Sequence, residues 1–124
     1  MKRALMLAAL VALPAARAEA LAEASLGDAM RGQQIYESRC IACHSPDANR
    51  VGPMHRGVFG RKAGSLADYT YSKALKGTDF VWSDQTLDQW LTNPQAFVPG
   101  QKMNFKVAKA EDRADLIAYL KTLK

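Results

Sequence analysis

Residues 40–44 read Cys-Ile-Ala-Cys-His, two thiols three positions apart with an imidazole directly after the second. This C-x-x-C-H spacing is the pattern of covalent haem attachment. Each thiol, Cys40 and Cys43, adds across one haem vinyl group, and the tether holds the adjacent His44 beneath the iron as proximal ligand. One haem c is therefore the expected cofactor. Three other readings compete. A thioredoxin-like dithiol would sit in a βαβ pattern, which is absent around these residues. A zinc site would need a second Cys/His pair, yet the only other histidine is His55. A plain local disulfide is the third.

The residues before the motif read as a helix. Asp28 is a good N-cap, because its carboxylate can accept from the free amides of a first turn. Ala29, Gly32, Ile35 and Tyr36 recur at helical spacing and carry an apolar face into Cys40. Gly32 costs such a helix about 1 kcal/mol relative to Ala, so it is expected to mark a close approach by another backbone. After His44 the chain turns polar, and four glycines and a proline between Gly52 and Gly64 argue against any regular element. Wrapping a cofactor is a physical reason for a loop of that length.

Further on, Ser72 to Lys76 reads as a short helix closed by Gly77. Ser83 caps a helix from Asp84 to Asn93, in which Leu87, Trp90 and Leu91 share a face and Pro94 enforces the stop. Residues 97–103 form a turn-rich loop. A last helix runs from Glu111 to the C-terminus, with acids in its first turn, Lys121 and Lys124 in its last, and a stripe of Leu116, Ile117, Leu120 and Leu123. Nothing alternates as a strand would, so the expected fold class is all-α.

The beginning of the chain carries an address. Lys2 and Arg3 precede an apolar run from Ala4 to Ala16, followed by small residues at Ala16, Ala18 and Ala20. That is the order of a secretory signal peptide, covering residues 1–18, with cleavage after Ala20 as the alternative. Residues 19–26 are then an N-terminal tail and 27–124 the single domain. A retained membrane anchor is the alternative, though thirteen residues are short for spanning a bilayer. Export to the periplasm suits thiol-based haem attachment, a task of the oxidising side of a membrane. Removing the signal takes away Lys2, Arg3 and Arg17, so 17 basic side chains become 14 against 12 acidic ones and the formal charge falls from +5 to +2. A nucleic-acid partner loses its main support with them.

What fills the sixth iron position decides between an electron carrier and an open site for small molecules or catalysis. Met103 is the best candidate on local sequence: a soft, neutral thioether in a Pro-Gly loop, set against the ordinary role of a methionine as core filler. His55 is the rival ligand, set against a solvated or hydrogen-bonded loop histidine.

Taken together, these residues resemble the class I cytochromes c, particularly the mitochondrial and related bacterial carriers. The resemblance runs from Gly27 to Leu120. It rests on Gly27-Asp28 with Gly32 and Tyr36, the Cys40–His44 motif, Gly52-Pro53, Gly57-Val58-Phe59-Gly60-Arg61-Lys62, Tyr69-Thr70-Tyr71, Trp82, Asn93-Pro94, Pro99 to Phe105 and Asp115 to Leu120. It implies crossed N- and C-terminal helices with loops wrapped around haem. It also implies Met103 as distal ligand and a Pro53 carbonyl accepting from His44 Nδ1. Arg61, Tyr71 and Trp82 match positions that contact the inner haem propionate, and Gly32 the crossing point of the two helices. Departures from the pattern stand at Trp90 for a common tyrosine, Gln101 for a threonine, Leu75 for a polar residue, and Met54-His55-Arg56 for Asn-Leu-His.

The function so implied is soluble mono-haem electron transfer, without catalysis. The partners implied are a quinol-cytochrome c oxidoreductase, a terminal oxidase or other periplasmic redox protein, or a photosynthetic reaction centre. They would meet a monomer, steered by a thin basic ring of Arg39, Lys102, Lys106 and Lys109. An open-site peroxidase or gas-binding cytochrome, and a subunit retained in a membrane complex, are the competing functions.

Overall fold

Asp28 opens the first helix as expected: its side chain accepts from the amides of Met30 and Arg31, and α1 runs Ala29–Arg39 before ending at Cys40. The computed structural model describes residues 27–124, so the signal peptide read at 1–18 and the tail at 19–26 lie outside it. After a long loop come α2 (Lys73–Lys76), α3 (Asp84–Thr92), α4 (Pro94–Phe97) and α5 (Ala110–Thr122). The described residues form no strand, and a single antiparallel bridge joins Lys62 to Val81.

Three details of the helix ends differ from expectation. Pro94 does end α3, but it also starts a further turn, α4, because its missing N–H and fixed φ suit the first helical position and Asn93 caps it by accepting from the Ala96 amide. Gly77 closes α2 at φ −80°, not in the left-handed conformation that makes glycine valuable as a cap. The last helix begins at Ala110 behind Lys109, which supplies no side-chain cap, and ends at Thr122, leaving Lys124 outside the last turn.

The core is built where α1 crosses α5. Tyr36 and Leu116 are almost wholly buried, joined by Ile35, Ile117, Leu120 and Leu123. Tyr36 packs on Tyr119 with ring centroids 5.2 Å apart. Gly32 stands at the crossing, where a Cβ would overlap the carbonyl of Asp115, so its helix-propensity cost is the condition for the two backbones to meet. Ions lock the same crossing. Arg31 donates to both Asp112 and Asp115, Arg39 donates to Asp112 at 3.2 Å, and Asp115 also accepts from the Asp28 amide at 2.7 Å. Burial pushes the Asp112 carboxyl up, but Arg31 and Arg39 more than offset this and hold it below the usual carboxylate value.

The long loop is fastened rather than loose. Gly60 donates to the Trp82 carbonyl, Trp82 to that of Arg61, and Ala63 to that of Phe80, pinning residues 60–63 beside 80–82. The Gly57 amide donates to the Leu123 carbonyl at 2.7 Å, tying the same loop to the end of the chain. The loop thus bends around one volume, walled by α1, α3 and α5.

Candidate haem site

That volume is a cavity of about 480 Å³. Cys40, Cys43 and His44 line it from the end of α1, and Met103 from the loop before α5. Pro53, Arg61, Tyr71 and Trp82 line it from the intervening segments, so every site residue expected from the sequence faces one space. The remaining walls are largely apolar, with Val58, Leu75, Leu87, Trp90, Leu116 and Leu120 among them.

The motif itself is a tight turn continuing α1: the amides of Cys43 and His44 both donate to the Cys40 carbonyl, at 3.1 and 2.9 Å. Arg50 gathers the outward carbonyls of this turn, donating to those of Ile41 and of His44. Gly52 comes back under the ring. Its amide donates to the Cys43 carbonyl at 2.9 Å, and a Cβ there would collide with the His44 imidazole. The close approach of residue 52 to the imidazole explains why this loop position is glycine.

His44 Nδ1 lies 3.2 Å from the Pro53 carbonyl. A carbonyl only accepts, so Nδ1 carries the proton and Nε2 keeps its lone pair, the tautomer a metal needs. Burial pushes the His44 imidazole below its ordinary value, which favours the neutral, ligating form. Cys40 moves the other way: burial raises its thiol to about 11. A redox dithiol works through a stabilised thiolate, which burial disfavours at Cys40.

Around the opposite part of the cavity, the Arg61 guanidinium donates to the Met54 carbonyl at 2.7 Å and is held half-buried. The Tyr71 hydroxyl accepts from the Leu66 amide at 3.1 Å, which leaves its own proton to donate. Trp82 is buried, edge-on to both Phe80 and Trp90. A cation, a phenol and an indole converging in an apolar space are a set of partners for a buried carboxylate. The Met103 amide donates to Gln101 Oε1, so the replacement at 101 holds the methionine loop from within.

Arg50 escaped the sequence reading, and His55 was read only as a rival ligand or a solvated or hydrogen-bonded loop group. Arg50 carried no motif, and only its position in a polar loop just after C-x-x-C-H hinted at a role. His55 is half-buried and hydrogen-bonded: it stacks on His44 with centroids 4.0 Å apart and bonds to the Tyr36 hydroxyl at 2.9 Å. Nineteen residues separate the two partners of that bond, and no local pattern reports such a contact. Burial, aided by the positive charge of Arg61, pushes the His55 imidazole well below its ordinary value.

A helical shell around a C-x-x-C-H turn, with an apolar cavity and a polar corner, defines the class I haem proteins of the cytochrome c type. Comparison places the chain within that class. Residues 29–124 match the family model described as Cytochrome c. Cytochrome c of Euglena viridis is 48% identical over 101 residues, covering 79% of this chain and 99% of the relative. Cytochrome c of Chlamydomonas reinhardtii is 44% identical over 104 residues, with 81% of this chain and 93% of the relative covered. Among solved structures, cytochrome cH from Methylobacterium extorquens superposes with a TM-score of 0.74 at 45% identity, over 77% of this chain and 99% of its own. The chain belongs to the cytochrome c family. It is accordingly a haem c protein, with Cys40 and Cys43 as the pair that carries the group, and its work is electron transfer.

Proposed function

We propose that this protein is an exported, soluble mono-haem carrier that passes single electrons between redox complexes, with His44 and Met103 as the two axial ligands. The carrying observation is the His44 ring: fixed by the Pro53 carbonyl in the ligating tautomer, and lining the same cavity as the thioether of Met103. When bound, haem c supplies a one-electron Fe(III)/Fe(II) couple.

The side chains do the rest. His44 and Met103 would both hold the haem iron in either oxidation state, so little would rearrange on electron transfer and no position would be left for substrate. The thioether, soft and neutral, favours the reduced form and raises the potential relative to bis-histidine ligation. Arg61, Tyr71 and Trp82 compensate a buried propionate. The aliphatic walls keep water out, which limits reorganisation further.

The surface sets the encounter. Lys102, Lys106 and Lys109 are exposed and form the basic edge that meets acidic partner surfaces. Arg39, expected among them, is engaged with Asp112 and contributes less. Partners of the right kind are a quinol-cytochrome c oxidoreductase as donor and a terminal oxidase, another periplasmic redox protein or a photosynthetic reaction centre as acceptor. Residues 1–18 act as a signal peptide that delivers the chain to the periplasm, with 27–124 as the working domain. Among the described residues no helix is long and apolar enough to cross a membrane.

Carbon monoxide added to the reduced protein tests this reading. Two protein ligands leave no vacancy, and the expected outcome is an unchanged Soret band. Rapid, stoichiometric binding would contradict it and make an open-site enzyme or gas sensor the better assignment.

A further inference from the structure

His55 is a titratable side chain drawn into the haem cavity for which the electron-transfer reading has no use. Its ring lies nearly parallel to that of His44, at 18° between planes and 4.0 Å between centroids. Its own orientation is fixed from behind. Tyr36, on the buried face of α1 where it meets α5, bonds to His55 Nδ1 at 2.9 Å and meets its ring edge-on at 5.5 Å. The backbone is anchored on both sides: the His55 amide donates to the Ser45 carbonyl and its carbonyl accepts from the Val58 amide. A path of direct contacts therefore runs from the helix crossing through Tyr36 and His55 to His44.

The bond from His44 Nδ1 to Pro53 fixes the tautomer and one direction in the ring plane. On its own, one bond at the ring edge restrains but does not lock the plane against turning about the axis through Nε2. A flat, clamped neighbour at stacking distance does. We propose that His55, held by Tyr36, is a positioning residue that sets the plane of the His44 imidazole and with it the distribution of unpaired spin over the ferric haem. The inference rests on His44 being the proximal ligand. The plane of an axial imidazole decides which iron d orbital carries the spin, so it is read directly in the hyperfine-shifted haem-methyl resonances. Stacking also places an electron-rich face against a ligand that gains positive charge on oxidation, which stabilises the ferric state.

The test is proton NMR of the intact ferric holoprotein as wild type, His55→Leu, His55→Phe and Tyr36→Phe, with the midpoint potential of each. Wild type should show hyperfine-shifted His44 ring protons. His55→Leu, which removes the flat face, should redistribute the haem-methyl shifts and raise the potential. His55→Phe restores a ring and should return the methyl pattern toward wild type. Tyr36→Phe, which keeps the α1 packing but frees His55, should move the pattern in the direction of His55→Leu by a smaller amount, and it carries the test if His55→Leu fails to mature. Wild-type methyl shifts in both His55→Leu and Tyr36→Phe would overturn the inference while leaving ligation intact. A shift in His55→Phe as large as in His55→Leu would reduce His55 to space filling and overturn it as well. Absence of hyperfine-shifted His44 protons in wild type would remove the ligation reading, and the inference with it.

Discussion

Gly52 shows how much one missing methyl group decides. Its backbone lies so close to the His44 ring that a Cβ would overlap the imidazole. Gly52→Ala is expected to displace His44, lower the yield of haem-loaded protein several-fold and cost about 1–3 kcal/mol of stability by overpacking. Haem content per chain and chemical denaturation check both effects. The sequence reported some of these residues better than others. Cys40, Cys43 and His44 were legible because attachment chemistry demands fixed spacing, and Met103 was singled out as a ligand candidate by its Pro-Gly loop and then by resemblance. His55 was legible only as a rival ligand or as a solvated or hydrogen-bonded loop group, since it stands alone between Met54 and Arg56. Its meaning comes from Tyr36 and His44, which local sequence does not place beside it.

At the scale of elements, the crossing of α1 and α5 carries the fold. Gly32→Ala would drive a methyl group into the Asp115 carbonyl, and the helices must separate to admit it. A loss of about 2–3 kcal/mol is expected from overpacking, measurable as a lower denaturation midpoint with the slope unchanged. The ion cluster beside it gives a pH dependence. The folded state holds Asp112 below its ordinary value, so its contribution is present above about pH 4, the usual aspartate range, and is lost as pH falls through the lowered folded value. Asp112→Asn should weaken the protein at neutral pH and flatten the acid side of its stability profile. A profile parallel to wild type would show that the cluster contributes nothing to acid sensitivity. Helix starts at Asp28, Ser72 and Ser83 were readable because a side chain caps each. Ala110 was not, because Lys109 offers no cap. The turn at Pro94–Phe97 was hidden by the double meaning of proline, which stops one helix and suits the first position of the next.

At the scale of the whole described domain, loops and helices wall a cavity whose lining is mostly apolar. Those walls can pack fully only against the group they surround. Cys40→Ala with Cys43→Ala should therefore yield a chain that keeps little fixed tertiary structure, seen as loss of the near-ultraviolet dichroism of Trp82 and Trp90. A cooperative, native-like melt of that variant would contradict this. The sequence showed that residues 45–71 form no helix but not their course, because the loop is shaped by what it encloses and by distant fastenings such as Gly57 to Leu123. Lys102, Lys106 and Lys109 are exposed and are the proposed basic edge. Association with an acidic redox partner should slow modestly as ionic strength rises, and a rate indifferent to salt would exclude steering.

The near-infrared absorption of the ferric protein, in the region of the sulfur-to-iron charge-transfer band, tests the central claim most directly. The expected result is a band in the wild type that disappears in Met103→Ala, which assigns the distal ligand and the electron-carrier function together. A wild-type spectrum without it would mean that Met103 does not hold the iron, and would contradict the account.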